Sequence, residues 1–303
     1  MMQRVLLVGC GDVALRVAQR LRHRARLIGV TRNRDDARKL RAHGIVPLVG
    51  DLDDRRTLDR LRAAPFAVLH FAPPPSDGRD DPRTRNLLAA LSSGRIIPRH
   101  IVYISTSGVY GDCAGARVAE TRPRRAHTPR ARRRVAAENR LRAFAARNGV
   151  ALSILRAPGI YAATRLPLER LKHGTPALLP DDDVYTNHVH ADDLARAVIA
   201  ALYRGRPSRA YNVSDDSDMK MGTWFDTVAD AFHLPRPPRI SWEMAERQIA
   251  PALLSFMSES RRLSNARLKR ELRLSLAHPT PHAMLNAIAP RELTRQLALP
   301  IGT

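Results

Sequence analysis

A short glycine-containing turn near the start of the chain places the strongest constraint on the fold. Five residues of strand-forming character, Arg4–Val8, lead into this turn, and an amphipathic segment of helix length follows it. The residues of the turn are Gly9, Cys10, Gly11, Asp12, Val13 and Ala14. This Gly-x-Gly-x-x-Ala spacing suits a tight turn, close approach of a pyrophosphate and close packing of helix on strand. The turn therefore predicts a dinucleotide site at the helix N-terminus.

Strand-length apolar runs and helix-length amphipathic segments alternate through the first half of the chain. The predicted strands are Arg4–Val8, Arg26–Val30, Val46–Gly50, Ala67–Phe71, His100–Ser105 and Ala151–Arg156. The predicted helices are Val13–Arg22, Asp35–His43, Asp54–Ala63, Arg85–Leu91 and Arg132–Ala146. Such alternation is typical of an α/β protein with a Rossmann-type, doubly wound parallel sheet that helices cover on both faces.

The pattern changes after Arg156. A predicted helix at Asp193–Leu202 and a strand at Ala210–Val213 return to the sheet, and proline-interrupted helical segments follow from Asp215 onward. We expect a Rossmann domain formed by residues 1–160 plus 184–213. The remaining residues, 161–183 plus 214–303, are expected to form a small, mostly helical C-terminal cap that contacts the substrate.

Composition limits the classes of partner. The 51 basic and 29 acidic residues give a net charge of +22, and nearly all the cations are arginines. A basic field attracts nucleic acid, but the arginines are spread along the whole chain and aromatic residues make up only 5%. This distribution favours a compositional origin over nucleic-acid binding. The chain contains no run of 18 apolar residues, so no membrane-spanning helix is predicted. Two cysteines, Cys10 and Cys113, are too few for a disulfide framework, so a cytoplasmic location is expected.

The end of the second predicted strand indicates which dinucleotide is preferred. An NAD site usually places a carboxylate there to bind the ribose hydroxyls. This chain instead has Thr31 and Arg32 at that position. A guanidinium is suited to the 2′-phosphate of NADP. We therefore expect NADP as the cofactor, with NAD as the alternative.

Further motifs follow the predicted strands in order. The segments are Gly50-Asp51-Leu52, His70-Phe71-Ala72, Ile104-Ser105-Thr106-Ser107-Gly108-Val109-Tyr110-Gly111, Leu155-Arg156-Ala157-Pro158-Gly159-Ile160-Tyr161 and His190-Ala191-Asp192-Asp193-Leu194-Ala195. Together they resemble the NAD-dependent epimerase/dehydratase family, which belongs to the extended and atypical short-chain dehydrogenases/reductases. The resemblance implies an oxidoreductase or epimerase/dehydratase-like protein that acts on a carbonyl or hydroxyl group, with a sugar-nucleotide among the candidate substrates. It also implies that Asp51, Leu52, Phe71, Ala72 and Pro158 lie beside the cofactor and that Thr106 is the catalytic hydroxyl.

The chain departs from this family at its acid/base pair. The family's chemistry depends on Tyr-x-x-x-Lys, and none of the six tyrosines here has a lysine four residues later. In the family a glutamate commonly follows the lysine by four residues. Alignment on Glu138 therefore places Arg134 at the lysine position and Arg130 at the tyrosine position. A guanidinium stays protonated in proteins and does not exchange protons near neutral pH.

Three consequences of this departure remain open. In the first alternative, another acid or base acts with Thr106, and the candidates are Tyr110, Tyr161, His127 and His190. Alternatively, the protein binds NADP without turnover, as a sensing or regulatory module. As a third alternative, Arg130 and Arg134 bind an anionic small-molecule substrate such as a sugar-nucleotide diphosphate. Dimers are frequent in the family, which leaves a homodimer open.

A histidine and aspartate cluster raises the question of a metal. His188 and His190 alternate on a predicted strand and precede Asp192 and Asp193. Residues two apart on a strand share a face, so both imidazoles could bind one ion. The acidic pair is explained equally by a helix start, and the family uses no metal there. We therefore expect no metal site.

Overall fold

The computed structural model describes residues 3–62, 66–94 and 97–288. The strands are β1 (Gln3–Val8), β2 (Ala25–Thr31), β3 (Ile45–Val49), β4 (Ala67–His70), β5 (His100–Thr106), β6 (Arg117–Val118), β7 (Ala151–Ala157), β8 (Gly159–Tyr161), β9 (Ala177–Leu178), β10 (Tyr185–Thr186), β11 (His188–His190), β12 (Arg209–Asn212), β13 (Met219–Lys220), β14 (Arg239–Ile240) and β15 (Arg262–Leu263). Seven of them form a sheet in the order β12-β7-β5-β4-β1-β2-β3, and every neighbouring pair in it is parallel.

Helices connect the strands and build the rest of the molecule. They are α1 (Asp12–Leu21), α2 (Asp36–Ala42), α3 (Pro82–Ser92), α4 (Pro129–Asn148), α5 (Leu168–Lys172), α6 (Ala191–Arg204), α7 (Met221–Ala231), α8 (Trp242–Gln248), α9 (Pro251–Met257) and α10 (Ala266–Leu272). Short 3₁₀ helices occupy Arg55–Arg62, Ser107–Tyr110 and Ala163–Arg165. Among the described residues, no helix is long and apolar enough to cross a membrane.

The period-two alternation of the strands explains why both faces of the sheet are covered. Leu7 of β1 belongs to one core with residues of α1 and α6, and its neighbour Leu6 belongs to the opposite core with residues of α3 and α4. Both leucines are at most 2% exposed, as expected for a strand that is buried on two sides. The doubly wound parallel sheet predicted from the sequence is therefore confirmed.

Most predicted boundaries agree with the structure to within a few residues. The segment predicted as a helix over Asp54–Ala63 is a 3₁₀ helix at Arg55–Arg62, and Ala63 lies outside the described residues. Helix α4 begins three residues before its predicted start, because the Thr128 side chain accepts a hydrogen bond from the Ala131 backbone N–H and Pro129 occupies the first turn.

The segments outside the sheet form smaller cores. One contains Tyr161, Trp224 and Phe225, and another contains Ala245 and Met257 of α8 and α9. Helix α10 differs from the expected cap, because Leu268 and Leu272 pack into the main sheet core rather than into either smaller core. The proposed division into domains remains a prediction, and α10 lies on the sheet side of the molecule.

A buried ion pair joins α4 to the sheet. Glu138, fully buried, accepts hydrogen bonds from the Ser105 hydroxyl at 2.7 Å and from Arg156 Nη2 at 2.8 Å. Arg124 Nη1 donates a third at 3.2 Å. Burial alone favours the neutral acid, but the hydrogen bonds and charge of Arg156 outweigh it and lower the pKa of Glu138 below its usual range. This carboxylate therefore fixes α4 relative to β5 and β7.

We predict that Glu138→Ala lowers the free energy of unfolding by about 3–5 kcal/mol, because it leaves Arg156 buried without its charge partner. The lowered pKa of Glu138 also predicts that the free energy of unfolding decreases as the pH falls. Its contribution is complete above the unfolded-state pKa of about 4.3 and disappears as the pH falls through the lower folded-state value. Urea unfolding between pH 7 and pH 3 measures both effects.

The matched control is Glu243→Ala, which removes a carboxylate that is 75% exposed and paired with an exposed arginine. It should change the free energy of unfolding by no more than about 0.5 kcal/mol. Equal losses in the two variants would contradict the anchoring role of Glu138.

Candidate functional site

The glycine turn lies where the carboxyl end of β1 meets the N-terminus of α1. Gly9 has a φ of +89°, and a Cβ atom there would lie 2.6 Å from the backbone nitrogen of Ala72. Gly11 caps α1 without a side-chain hydrogen bond, and a Cβ at this position meets no atom within 4 Å. The N-terminus of α1 therefore has no capping side chain and has free space beside Gly11, which is a favourable position for an anion.

A cavity of about 410 Å³, here named the β2 cavity, opens between the ends of β1, β2 and β3. It brings together seven of the residues predicted to bind the cofactor: Gly9, Cys10, Thr31, Arg32, Asp51, Leu52 and Ala72. Lys39 and Arg83 add two cations that the sequence analysis did not identify. Arg83 holds Asp53 through two hydrogen bonds of 2.7 and 2.8 Å.

The β2 cavity also contains an acid that the sequence analysis missed. Asp36, at the start of α2, lines the cavity and accepts a hydrogen bond from the Thr31 hydroxyl at 3.3 Å. Burial, with a smaller effect of the Asp36 charge, raises the pKa of the Cys10 thiol to about 12. Cys10 is therefore a neutral thiol at pH 7, with no thiolate character.

A second cavity of about 270 Å³, the α1 cavity, continues from the first along the carboxyl edge of the sheet. The residues predicted from the sequence as site residues that line it are Gly9, Cys10, Gly11, Asp12, Val13, Ala14, Phe71, Ala72 and Arg134. Ile104, Ile160 and Arg165 complete one side of it. The two cavities share the lining residues Gly9, Cys10, Ala72 and Pro73, so they adjoin at the glycine turn, and the pair is here named the cofactor groove.

A third cavity of about 180 Å³, the Thr106 cavity, lies between the sheet edge and the segments beyond β8. Of the predicted residues, Thr106, Arg130 and Pro158 line it. Tyr185, Glu259 and Arg261 also line it, and none of these three belongs to a motif identified in the sequence. Thr106 caps a 3₁₀ turn by accepting a hydrogen bond from the Gly108 backbone N–H at 3.3 Å.

The two arginines at the expected tyrosine and lysine positions point into neighbouring cavities. Arg134 lines the α1 cavity and donates to the Ile104 carbonyl at 2.8 Å and to the Tyr103 hydroxyl at 3.0 Å. Arg130 lines the Thr106 cavity, donates to the Ser255 hydroxyl at 2.6 Å and lies 3.5 Å from the centre of the Phe256 ring. Their spacing of four residues places both on one face of α4.

The structure does not place Tyr110 with the other candidate catalytic residues. Its ring is 1% exposed, and its hydroxyl donates to Asn212 at 2.7 Å and accepts from Arg156 at 2.9 Å. Burial raises the pKa of Tyr110, and Arg156 opposes this effect. We correct the expectation for Tyr110 on this ground, because a buried phenol with both hydrogen bonds made inside the protein has no access to a ligand.

The other acid/base candidates lie apart from Thr106. His127 is exposed. Tyr161 is 1% exposed and contacts the ring of His190, and burial raises its pKa. Burial lowers the pKa of His190 to about 4, with a smaller contribution from His278. Neither Tyr161 nor His190 lines the three cavities described above.

His190 belongs to a small polar group that was only partly expected. Ligand atoms of His190, Asp192 and His278 lie within 4.8 Å of one another. Asp192 already pairs with Arg16 at 3.1 Å and Arg20 at 3.0 Å. These two guanidinium groups occupy the carboxylate and oppose a cation, so we assign no metal to this group.

Comparison with known proteins identifies the sequence relatives. The family model described as the NAD dependent epimerase/dehydratase family matches residues 6–214. The human and bovine dTDP-D-glucose 4,6-dehydratases are each 23% identical over 146 residues, which is 46% of this chain. The match spans 41% of the length of these curated relatives.

Solved structures resemble the protein over nearly its whole length. A conserved protein of unknown function from Silicibacter pomeroyi is 29% identical, with a TM-score of 0.79 over 96% of this chain and 99% of that one. A nucleoside-diphosphate-sugar epimerase from Pseudomonas aeruginosa has a TM-score of 0.78 at 16% identity, over 98% and 99% of the two chains. A UDP-glucuronic acid 4-epimerase from Bacillus cereus, in complex with NAD, has a TM-score of 0.75 at 16% identity, over 98% of this chain and 100% of that one.

We predict that Gly9→Ala lowers the free energy of unfolding by about 3–4 kcal/mol, because it combines a left-handed backbone conformation with a collision against Ala72. Gly78→Ala is the matched control. Gly78 has a φ of +79°, but a Cβ there meets no atom within 4 Å. This control should lose only about 1–2 kcal/mol. Urea unfolding of the two variants measures the difference, and equal losses would argue against close packing at the turn.

Proposed function

The chain belongs to the NAD-dependent epimerase/dehydratase family, and from this premise we propose that it is an NADP-binding oxidoreductase or epimerase/dehydratase-like protein. We propose a substrate that reacts at a carbonyl or hydroxyl group. One observation carries the proposal: the β2 and α1 cavities adjoin at the glycine turn, where Gly9 lines both and Gly11 lines the α1 cavity. The Thr106 cavity lies beside the cofactor groove. Arg130 and Gly159 line the Thr106 cavity, and Arg134 and Ile160, which follow them on the same segments, line the α1 cavity.

The residues present fit a dinucleotide. The missing side chain at Gly11 leaves room for a pyrophosphate in front of α1, and the N-terminus of this helix has no side-chain cap that would compete. Asp51 and Leu52 line the β2 cavity, in which the adenosine would lie. The nicotinamide would then lie in the α1 cavity, beside Phe71 and Arg134.

The preference for NADP over NAD is supported by Arg32 in the β2 cavity. Asp53 already pairs with Arg83. Arg32 and Lys39 face Asp36 and Asp51, so the preference rests on the position of the Arg32 guanidinium rather than on an excess of positive charge. A charged hydrogen bond from Arg32 to a 2′-phosphate would contribute about 1.5–3 kcal/mol, or roughly ten- to hundredfold discrimination. Asp36 works against this preference, and it keeps NAD as the alternative.

The bound nicotinamide would supply the hydride acceptor or donor for the reaction. This chain's own residues would orient the substrate. The Thr106 hydroxyl would hold a carbonyl or hydroxyl oxygen, a role supported by its position in the lining of the Thr106 cavity. Arg134 holds the end of β5 through the Ile104 carbonyl. Arg130 cannot take a proton from the substrate, so turnover requires an acid or base from another part of the cavity.

A second candidate function is an NADP-responsive binding protein without turnover. Arg130 supports it, because its guanidinium contacts Ser255 and Phe256 of α9 while Arg134, one helical turn away, lines the cofactor groove. A cofactor that moves α4 would thus also act on α9. Turnover of a carbonyl or hydroxyl substrate would decide for the enzyme.

Three accompanying proposals concern location and partners. A cytoplasmic location is supported by Cys10 and Cys113, which are both free thiols. A homodimer remains a proposal drawn from the family. Nucleic-acid association remains the least favoured alternative; it predicts binding that weakens steeply with salt and persists in Arg32→Ala.

We predict that calorimetric titration of the protein gives tighter binding of NADPH than of NADH by roughly ten- to hundredfold. Gly11→Val should abolish binding of both, since its side chain would occupy the proposed pyrophosphate space, while its Cβ meets no protein atom within 4 Å. Arg32→Ala should weaken NADPH by the same ten- to hundredfold and leave NADH unchanged.

Arg34→Ala is the matched control, because Arg34 is exposed and does not line the β2 cavity. It should leave both affinities within about twofold, a change of under 0.5 kcal/mol. Absence of binding by either nucleotide would overturn both the enzyme and the sensor hypotheses.

A further inference from the structure

The Thr106 cavity contains three charged side chains, two of which the motif analysis does not explain. Arg130 reaches it from α4, while Glu259 and Arg261 come from the segment after α9. The latter two lie beyond residues 6–214, which the family model matches. A ligand in this cavity would therefore contact residues outside the matched range as well as Thr106 of the family motif.

Glu259 has a hydrogen-bonding atom that the protein leaves unused. The residue is 6% exposed, and its Oε2 accepts a hydrogen bond from Arg261 at 2.7 Å. Its Oε1 is buried and has no hydrogen-bond partner among the described residues. Burying a charged oxygen without a partner is costly. An ion-paired carboxylate can only accept hydrogen bonds, so a group that completes the bonding of Oε1 must be a donor.

The cationic groups have donors to spare. A guanidinium has five N–H groups, and Arg130 uses two of its nitrogens on Ser255. Arg261 donates to Glu259 and to the Gly111 carbonyl. Two guanidinium groups and one carboxylate give the cavity a formal charge of +1. One carboxylate on the ligand neutralises this charge, whereas a phosphate dianion would exceed it.

We propose that the Thr106 cavity binds a hydroxy-carboxylate, whose carboxylate pairs with Arg130 and whose neighbouring hydroxyl donates to Glu259 Oε1. This assignment rests on the proposed function, because it names the substrate class of the same site. At about 180 Å³ the cavity is smaller than most ligand pockets and holds one small group. The group is either a free hydroxy acid or the uronic acid of a sugar nucleotide, which present the same chemistry.

Calorimetry with two matched pairs of probes tests the carboxylate. The first pair is D-glucuronate and D-glucose, and the second is UDP-glucuronic acid and UDP-glucose. In each pair the probes differ only in the carboxylate. We expect the acid of at least one pair to bind ten times more tightly than its neutral partner. A preference in both pairs indicates a free hydroxy acid, and a preference confined to the UDP pair indicates a sugar nucleotide.

Two variants locate the contacts. Arg130→Gln should reduce the acid preference to less than threefold, and Glu259→Gln should weaken the preferred acid at least fivefold. Glu243→Gln, on an exposed carboxylate of α8, should leave its dissociation constant within twofold. If Glu259→Gln does not fold, as judged by its Tm, Arg130→Gln still tests the assignment. Equal affinity for acid and neutral sugar, or no binding of either acid, would overturn it.

The same preparations are titrated with NADPH, so the two proposals can fail separately. NADPH binding without any acid preference overturns the hydroxy-carboxylate assignment and leaves the proposed function intact. Acid preference in a protein that binds neither NADPH nor NADH supports the ligand assignment and overturns the cofactor proposal.

Discussion

The carboxylate of Glu138 receives hydrogen bonds from Ser105 on β5, Arg156 on β7 and Arg124 in the loop before α4. Together with the apolar side chains that α4 packs into the core, this buried group fixes the distance and rotation of α4 relative to the sheet. Arg134 and Arg130 lie four and eight residues earlier on the same helix, so their directions follow from the position of Glu138. The contents of the α1 and Thr106 cavities therefore depend on an ion pair that contacts neither.

The sheet and its cofactor edge were largely predictable because they follow from local patterns. Strand alternation placed Leu6 and Leu7 on opposite faces, and the glycine turn placed Gly9 and Gly11 at the start of α1. Tyr110 illustrates the limit of this reasoning. Its motif places it close to Thr106 in sequence, but its hydroxyl turns inward to Asn212, a residue about a hundred positions later. Sequence spacing contains no information about such a partner.

Glu259 and Arg261 were unpredictable for a related reason. They lie in a segment without periodicity or motif, and contacts with distant parts of the chain bring them to the sheet edge, such as the hydrogen bond from Arg261 to the Gly111 carbonyl. Asp36 escaped notice because it begins a helix, a position that explains an acidic residue without any ligand. In each case the chemistry comes from contacts between distant segments, and the local sequence has a sufficient explanation of another kind.

The return of α10 to the sheet has a consequence for how the molecule can be divided. Leu268 and Leu272 fill the main core beside β12, and Arg267 donates to the Ala210 carbonyl on that edge strand. A fragment ending near residue 214 would include every strand of the sheet, yet it would expose the apolar surface that α10 covers. The C-terminal region is thus not a removable module. Chimeras that exchange it between relatives need a junction that keeps α10 with its own sheet.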